Sequence, residues 1–307
     1  MNPSVAATLI PNRARLLSAL FLALLLTVSG HARAGPEPCG PALTADGRAR
    51  VAPFRLFDGL IYTDKPDLAA QGIPRIAIID RDIWSASQSA GTRLDAARVA
   101  KVADAIPRDD APIVLDFEGF PLTGSDATIR SSLGSLGGIL AAFKAAAPGR
   151  LYGFYGAPPV RDYWRAVSAP SDEKYRRWQS ENDQLAPLEK QVDVLFPSLY
   201  TFYPDRSGWA LYAKAQICEA RRLSRKPVYA FLWPQYHESN KQLGGSLIDA
   251  GFWKLQLETV HRYADGVVIW GGWNNAANAP SRWDDKADWW LATQDFAKRI
   301  KANPTAP

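Results

Sequence analysis

From residue 53 onward, short apolar runs rich in β-branched and aromatic residues alternate with longer amphipathic stretches, and few architectures accommodate that alternation. The runs are FRLFDGLIY (54–62), RIAIID (75–80), PIVLDFE (112–118), LYGFYG (151–156), DVLFPSLY (193–200), PVYAFLW (227–233) and GVVIWGG (266–272), seven in all. Helical periodicity fills the intervals at 94–106, 126–147, 171–191, 208–223 and 246–264, and a last helix is expected over 286–302. Asp126 and Ser171 are the expected N-caps of the second and third helices, and Pro187 is expected to interrupt the third. Strands buried on both faces and joined by such helices form an open doubly wound sheet or a closed barrel. No GxGxxG follows a strand, which favours the α/β barrel over a nucleotide-binding sheet.

The first 34 residues read as an address rather than as structure. Arg13 and Arg15 precede the apolar run LLSALFLALLLTVSG, and HARA at 31–34 places small residues where a signal peptidase cuts. The run is shorter than the roughly 20 residues of a membrane-spanning helix. The expectation is a cleaved signal peptide, 1–34, and one catalytic domain, 35–307, secreted or periplasmic and without stable membrane insertion. A retained anchor is the alternative. Removing the three arginines of that segment from 36 basic residues leaves 33 against 31 acidic, so the net charge is +2 rather than +5. No cluster of Lys and Arg tracks phosphates, which argues against a nucleic-acid partner. Cys39 and Cys218, in an oxidising compartment, can close one long loop, the alternative being a simply buried Cys218. There is no CxxC and no HExxH, so neither a metal nor another cofactor is expected.

In a barrel the C-terminal strand ends carry the chemistry. Polar and aromatic residues collect there: Asp116 and Glu118, Tyr155, Ser198 and Tyr200, the stretch from Trp233 to His237, and Trp270 with Trp273. Asp116 and Glu118, two apart on a strand, share the inner face, while Phe117 between them takes the outer one. Their Cα atoms would be about 6.5–7 Å apart. Like charge and burial then raise one of the two pKa values and supply a proton donor near neutral pH. The structural alternative is a salt-bridged pair that pins the barrel end. Two acids on one strand face cannot easily flank a scissile bond, as the two-carboxylate glycosidase scheme requires. With Glu118 as the acid, Asp116 is better placed to hold an attacking group of the substrate, such as a 2-acetamido group. Trp178, Trp253 and Trp289 lie in helical patterns and are assigned to packing, as is His261 to a helix face, whereas His237 is left open between a supporting role and the surface.

Several of these stretches, in this order, resemble the animal hyaluronidase family of retaining glycosidases: VLDFEGF, LYGFYGAP, ENDQL followed by VLFPSLY, and GVVIWGGWNN, over about residues 110–276. The resemblance implies a distorted TIM-like barrel, (β/α)7, with Glu118 as proton donor and Asp116 orienting the acetamido group. It also implies that Tyr155 and Tyr200 contact the reacting sugar, with Ser198 nearby, Trp270 as floor and Tyr163 as a further substrate contact. Asn275 matches a family asparagine without an arguable role. The departures concern polymer reading. Pro121 stands where the family has an arginine, the family cysteine is absent, and PPVRDY keeps one of two tyrosines while adding Arg161.

The expected activity is therefore hydrolysis of a bond following an N-acetylhexosamine in an oligo- or polysaccharide, with acetamido participation and retention of configuration. The resemblance does not carry hyaluronan itself as the substrate. Two alternatives remain: a non-catalytic glycan-binding barrel, and a two-carboxylate glycosidase whose second acid is Glu238 or Asp265.

Overall fold

The computed structural model describes residues 52–85 and 93–302, all within one compact unit, Glu37–Pro307. The expected leader, 1–34, and Cys39 lie outside the described residues. The strands are β1 (Arg55–Leu60), β2 (Ala77–Ile79), β3 (Trp84–Ser85), β4 (Arg93–Leu94), β5 (Ile113–Leu115), β6 (Tyr152–Phe154), β7 (Tyr229–Leu232), β8 (Gly266–Gly271), β9 (Trp273–Asn274) and β10 (Ala279–Pro280). The helices are α1 (Ala96–Asp104), α2 (Asp126–Ala146), α3 (Tyr163–Ala166), α4 (Glu173–Asp183), α5 (Ala186–Glu189), α6 (Arg206–Leu223), α7 (Ala250–Tyr263) and α8 (Asp288–Ala302).

Two parallel sheets, β2-β5-β6 and β7-β8-β1, form the barrel wall. On one side a parallel bridge between Asp58 and Arg75 joins them, with Ile76 N donating to Asp58 O at 3.0 Å. On the other side the segment around 193–201 lies between β6 and β7, bridging Tyr155 to Phe196, Leu195 to Val228 and Ser198 to Phe231, all in parallel. The seven runs thus follow one another around the wall in chain order. The fold is a distorted TIM-like α/β barrel.

The distortions have local causes. The expected strand 193–200 is present only as isolated bridges, because Pro197 has no N–H to donate and the ladder is interrupted there. Leu195 and Leu199 keep it attached by donating to Pro227 O and Phe231 O at 2.9 and 3.0 Å. Gly153 lets this segment approach β6, since a Cβ there would meet Val194 O at 2.2 Å. The expected strand 112–118 ends at Leu115; its neighbour β2 stops at Ile79, whose carbonyl accepts one last rung from Asp116 N at 2.8 Å. Between β1 and β2 the chain has only a 3-10 turn, Ala69–Gln71, and between β2 and α1 it forms the small antiparallel pair β3-β4.

Strand alternation separates two apolar regions. Phe57, Val114, Phe196, Phe231 and Val268 fill the barrel interior, while Leu56, Ile113, Leu115, Phe154 and Ile269 face the helices. Trp178, Trp253 and Trp289 are buried in that outer layer, as expected of packing residues. The caps differ by one position from expectation: Ser125 rather than Asp126 accepts from Thr128 N, and Asp172 rather than Ser171 accepts from Lys174 N. Asp126 instead places its charge in the first turn of α2, where the helix dipole favours it. The third helical stretch breaks at Gln184–Leu185, and Pro187 occupies the first turn of α5, where its missing N–H is no loss. Cys218 is buried on α6 and disulfide-bonded. Among the described residues no helix is long and apolar enough to cross a membrane.

Candidate active site

The strand that ends at Leu115 continues its alternation for two more residues. Asp116 turns into a cavity at the C-terminal mouth of the barrel, and Phe117 turns outward to meet Trp84 edge-on at 6.0 Å. Glu118, already in the following turn and exposed, returns to the same cavity. The cavity is about 220 Å³ and is also lined by Tyr155, Arg161, Tyr200, Trp233, His237, Glu238, Trp270, Trp273 and Asn275. A second cavity of about 230 Å³ adjoins it, sharing Glu118, Tyr155 and Arg161. Its other walls are mostly apolar, including Phe117, Phe120, Pro121, Leu122 and Leu136, with Ser198 as a polar group. Glu118 therefore stands at the boundary between a polar, aromatic chamber and an apolar one.

The side chains of Asp116 and Glu118 have no hydrogen-bond or ion-pair partner among the described residues, so the salt-bridged alternative is not realised. Burial, the Glu118 charge and the Asp80 charge push the Asp116 carboxyl up from 3.8 to about 7. Asp116, the better buried of the two, is thus the acid that holds its proton toward neutral pH, whereas the sequence points to Glu118 as the donor; burial, the largest cause, decides the difference. Arg161 is the one arginine or lysine among the described residues lining either cavity, and its Nη1 donates to Ser198 Oγ at 3.3 Å.

Beneath the acids lies a hydroxyl and aromatic floor. The Tyr155 and Ser198 hydroxyls are 2.9 Å apart, and Tyr212 OH donates to Ser198 O at 2.7 Å, which holds the broken fifth strand in place. Burial raises the pKa of Tyr155 and Tyr200 far above the ordinary tyrosine value, so both keep their protons as hydrogen-bond donors. Tyr200 stacks on Trp270 at 5.8 Å, and Trp233 meets Trp270 edge-on at 4.9 Å. Gly271 and Gly272 end β8 with φ of +152° and +99°, and a Cβ on Gly272 would lie 2.7 Å from Tyr62 N. This close approach sets the wall that carries Trp270 and Trp273.

Of the residues singled out in sequence, Asp116, Glu118, Tyr155, Tyr200 and Trp270 share the first cavity, and Ser198 lines the second. Tyr163 lines neither; it packs in an aromatic cluster on the rim, against Tyr203 and Tyr212 at 5.2 Å each. His237, left open, lines the cavity, and burial and the Arg161 charge lower its pKa. Glu238 lines it as well, whereas Asp265 accepts from Val228 N at 2.9 Å and pairs with Arg221 just before β8, at the other end of the strands. Arg161 was legible only as an insertion into PPVRDY; nothing in the sequence aimed it at the acids.

A family model described as hyaluronidase matches residues 135–284. The match includes Tyr155, Ser198, Tyr200 and Trp270 and begins after Asp116 and Glu118. Over this stretch the chain is distantly similar to hyaluronidases. It is 27% identical over 126 residues to a hyaluronidase of Polistes annularis, a match spanning 39% of this chain and about a third, 33%, of that relative. Among solved structures, bee venom hyaluronidase superposes with a TM-score of 0.54 at 16% identity, covering 81% of this chain and 97% of the other. The same enzyme in complex with a hyaluronic acid tetramer gives 0.52 at 15% identity, covering 81% and 96%. At these identities the likeness concerns the hyaluronidase-like fold.

Proposed function

We propose that the protein is a retaining glycoside hydrolase that cleaves the bond following an N-acetylhexosamine, the substrate's own acetamido oxygen acting as nucleophile. The observation that carries this reading is the pair Asp116 and Glu118, both open to one cavity and without a side-chain partner among the described residues, above a floor of protonated tyrosine hydroxyls and stacked indoles. Glu118, the more exposed acid, donates a proton to the glycosidic oxygen at the junction of the two cavities. The half-buried carboxylate of Asp116 accepts the acetamido N–H and turns the acetamido oxygen toward the anomeric carbon. An oxazolinium-type intermediate then forms as the leaving group departs, and water, deprotonated by Glu118, opens it with net retention. Tyr155 and Tyr200 donate to the polar groups of the reacting sugar, and Trp270 offers its face to the ring.

The substrate is an oligo- or polysaccharide containing N-acetylhexosamine. Arg161 at the cavity junction makes an acidic neighbouring sugar compatible with the site. The leader-like first 34 residues support export to a secreted or periplasmic location. The test is release of reducing ends from a panel of N-acetylhexosamine polymers, neutral and acidic, with Glu118→Gln as the blank. Turnover is expected to vanish in Glu118→Gln while oligosaccharide binding survives; equal turnover in the two proteins excludes the reading. Binding without turnover in both favours a glycan-binding barrel instead.

A second reading draws on Glu238, which lines the same cavity as Glu118 and could complete a two-carboxylate site. Inhibition by a thiazoline mimic of the acetamido intermediate separates the two, because a carboxylate nucleophile gains nothing from it.

A further inference from the structure

Trp164 departs from the way this chain treats its tryptophans. It is 66% exposed, whereas Trp178, Trp209, Trp233, Trp253, Trp289 and Trp290 are each at most 5% exposed. The indole is nevertheless held firmly. It belongs to the short helix α3, where Asp162 accepts from Arg165 N at 2.8 Å and the Arg165 guanidinium is clamped by Asp162 and Glu181 at 2.7 Å each. Trp164 meets the Tyr163 ring at 5.2 Å and the Tyr203 ring at 5.3 Å, and Tyr203 is itself 38% exposed. Tyr163 backs both of them and rests on the fully buried Tyr212.

This ledge is continuous with the cleft. Phe202 lies 6.4 Å from Tyr203, packs on His237 at 4.7 Å and carries the Arg161 guanidinium over its face at 5.2 Å. His237 and Arg161 are walls of the first cavity. An exposed indole beside a tyrosine hydroxyl offers an apolar face with a polar edge, which matches the C–H face and equatorial hydroxyls of a pyranose ring. Because its supports are already packed, it can bind without a large ordering cost. A protein partner fits less well: a stable interface needs about 800 Å² per side. The ledge is a few rings wide and bordered by the charged groups Asp162, Arg165, Asp205 and Arg206.

We propose that Trp164 and Tyr203 form an outlying sugar subsite, occupied by units of the same glycan chain whose N-acetylhexosamine enters the cavity. The inference rests on the glycan-active reading of the cleft and extends it to chain length: the protein grips polymers better than short fragments.

The experiment compares tetrasaccharides with chains of at least about ten sugars, prepared from chitin, hyaluronan and heparosan. KM is measured where the wild type turns over, and Kd by calorimetry on Glu118→Gln in every case. Trp164→Ala and Tyr203→Ala are expected to weaken the long chains about tenfold while leaving tetrasaccharide affinity and kcat unchanged, and Trp164→Phe is expected to recover part of the loss. Equal affinity for long chains in Trp164→Ala and its parent overturns the subsite, as does an equal loss for both lengths. Trp164-dependent binding of long chains without turnover of any substrate leaves the subsite standing and removes the hydrolase reading. Absence of both binding and turnover overturns the two together.

Discussion

Tyr155 and Ser198 share a buried hydrogen bond of 2.9 Å between strand ends 43 residues apart in the chain. Through it, the floor of the candidate site also becomes the seam of the barrel, because Ser198 belongs to the interrupted fifth strand. Tyr155→Phe removes the partner and leaves the Ser198 hydroxyl, among the described residues, with Arg161. The expected result is a loss of about 1–2 kcal/mol in stability together with a kcat decrease of at least about tenfold, read by urea unfolding and by steady-state kinetics. A KM increase with kcat unchanged would show that Tyr155 holds sugar without aiding the reaction.

Burial, the Glu118 charge and the Asp80 charge push the Asp116 carboxyl up to about 7. It accepts the acetamido N–H as a carboxylate, so kcat/KM is expected to rise with pH along a limb of apparent pKa about 7. Glu118→Gln removes one of the charges that raises this group, and the Asp116 titration, followed by carboxyl-labelled NMR, should move to lower pH. A titration unchanged in that variant means the two acids do not sense each other.

The same shift predicts a stability trade. Asp116 binds its proton more tightly folded than unfolded, so its own contribution to stability is greatest below the unfolded value of 3.8 and falls as pH rises toward about 7, above which the penalty is constant. Asp116→Asn removes the penalty. The variant is expected to be more stable than wild type by about 1–3 kcal/mol above neutral pH, after allowance for the group's partial solvent contact, and to converge with it near pH 4. Urea melts at both pH values check this, and a destabilised variant at alkaline pH contradicts it.

His237 is lowered by burial and by the Arg161 charge. Arg161→Gln should raise its pKa toward the ordinary value of 6.5, since one of the two causes is removed. The imidazole resonances in an NMR titration give the direct reading.

At Gly272 a methyl group meets both a φ of +99° and the Tyr62 backbone at 2.7 Å. Gly272→Ala is expected to cost about 2–4 kcal/mol and to lower activity by displacing Trp270 and Trp273. Thermal unfolding and the near-ultraviolet circular dichroism of the tryptophans report the two effects separately.

The sequence by itself determined the barrel and one face of its site. Seven apolar runs separated by amphipathic helices leave few other ways to bury strands on both sides, and period-two alternation sends Asp116 inward and Phe117 outward even where the regular strand has stopped. Local chemistry was legible to within a residue, as the one-position differences at Ser125 and Asp172 show. What only the tertiary structure decided is what faces those acids. Arg161, His237 and Glu238 come from loops whose direction no periodicity encodes, and they reach the cavity through packing such as that of Phe202 against His237 and Arg161. The proton was also a tertiary matter. Alternation places both acids in one cavity, but the depth of burial and the nearby Asp80 raise Asp116, because desolvation depends on everything packed around a carboxyl and not on its neighbours in the chain.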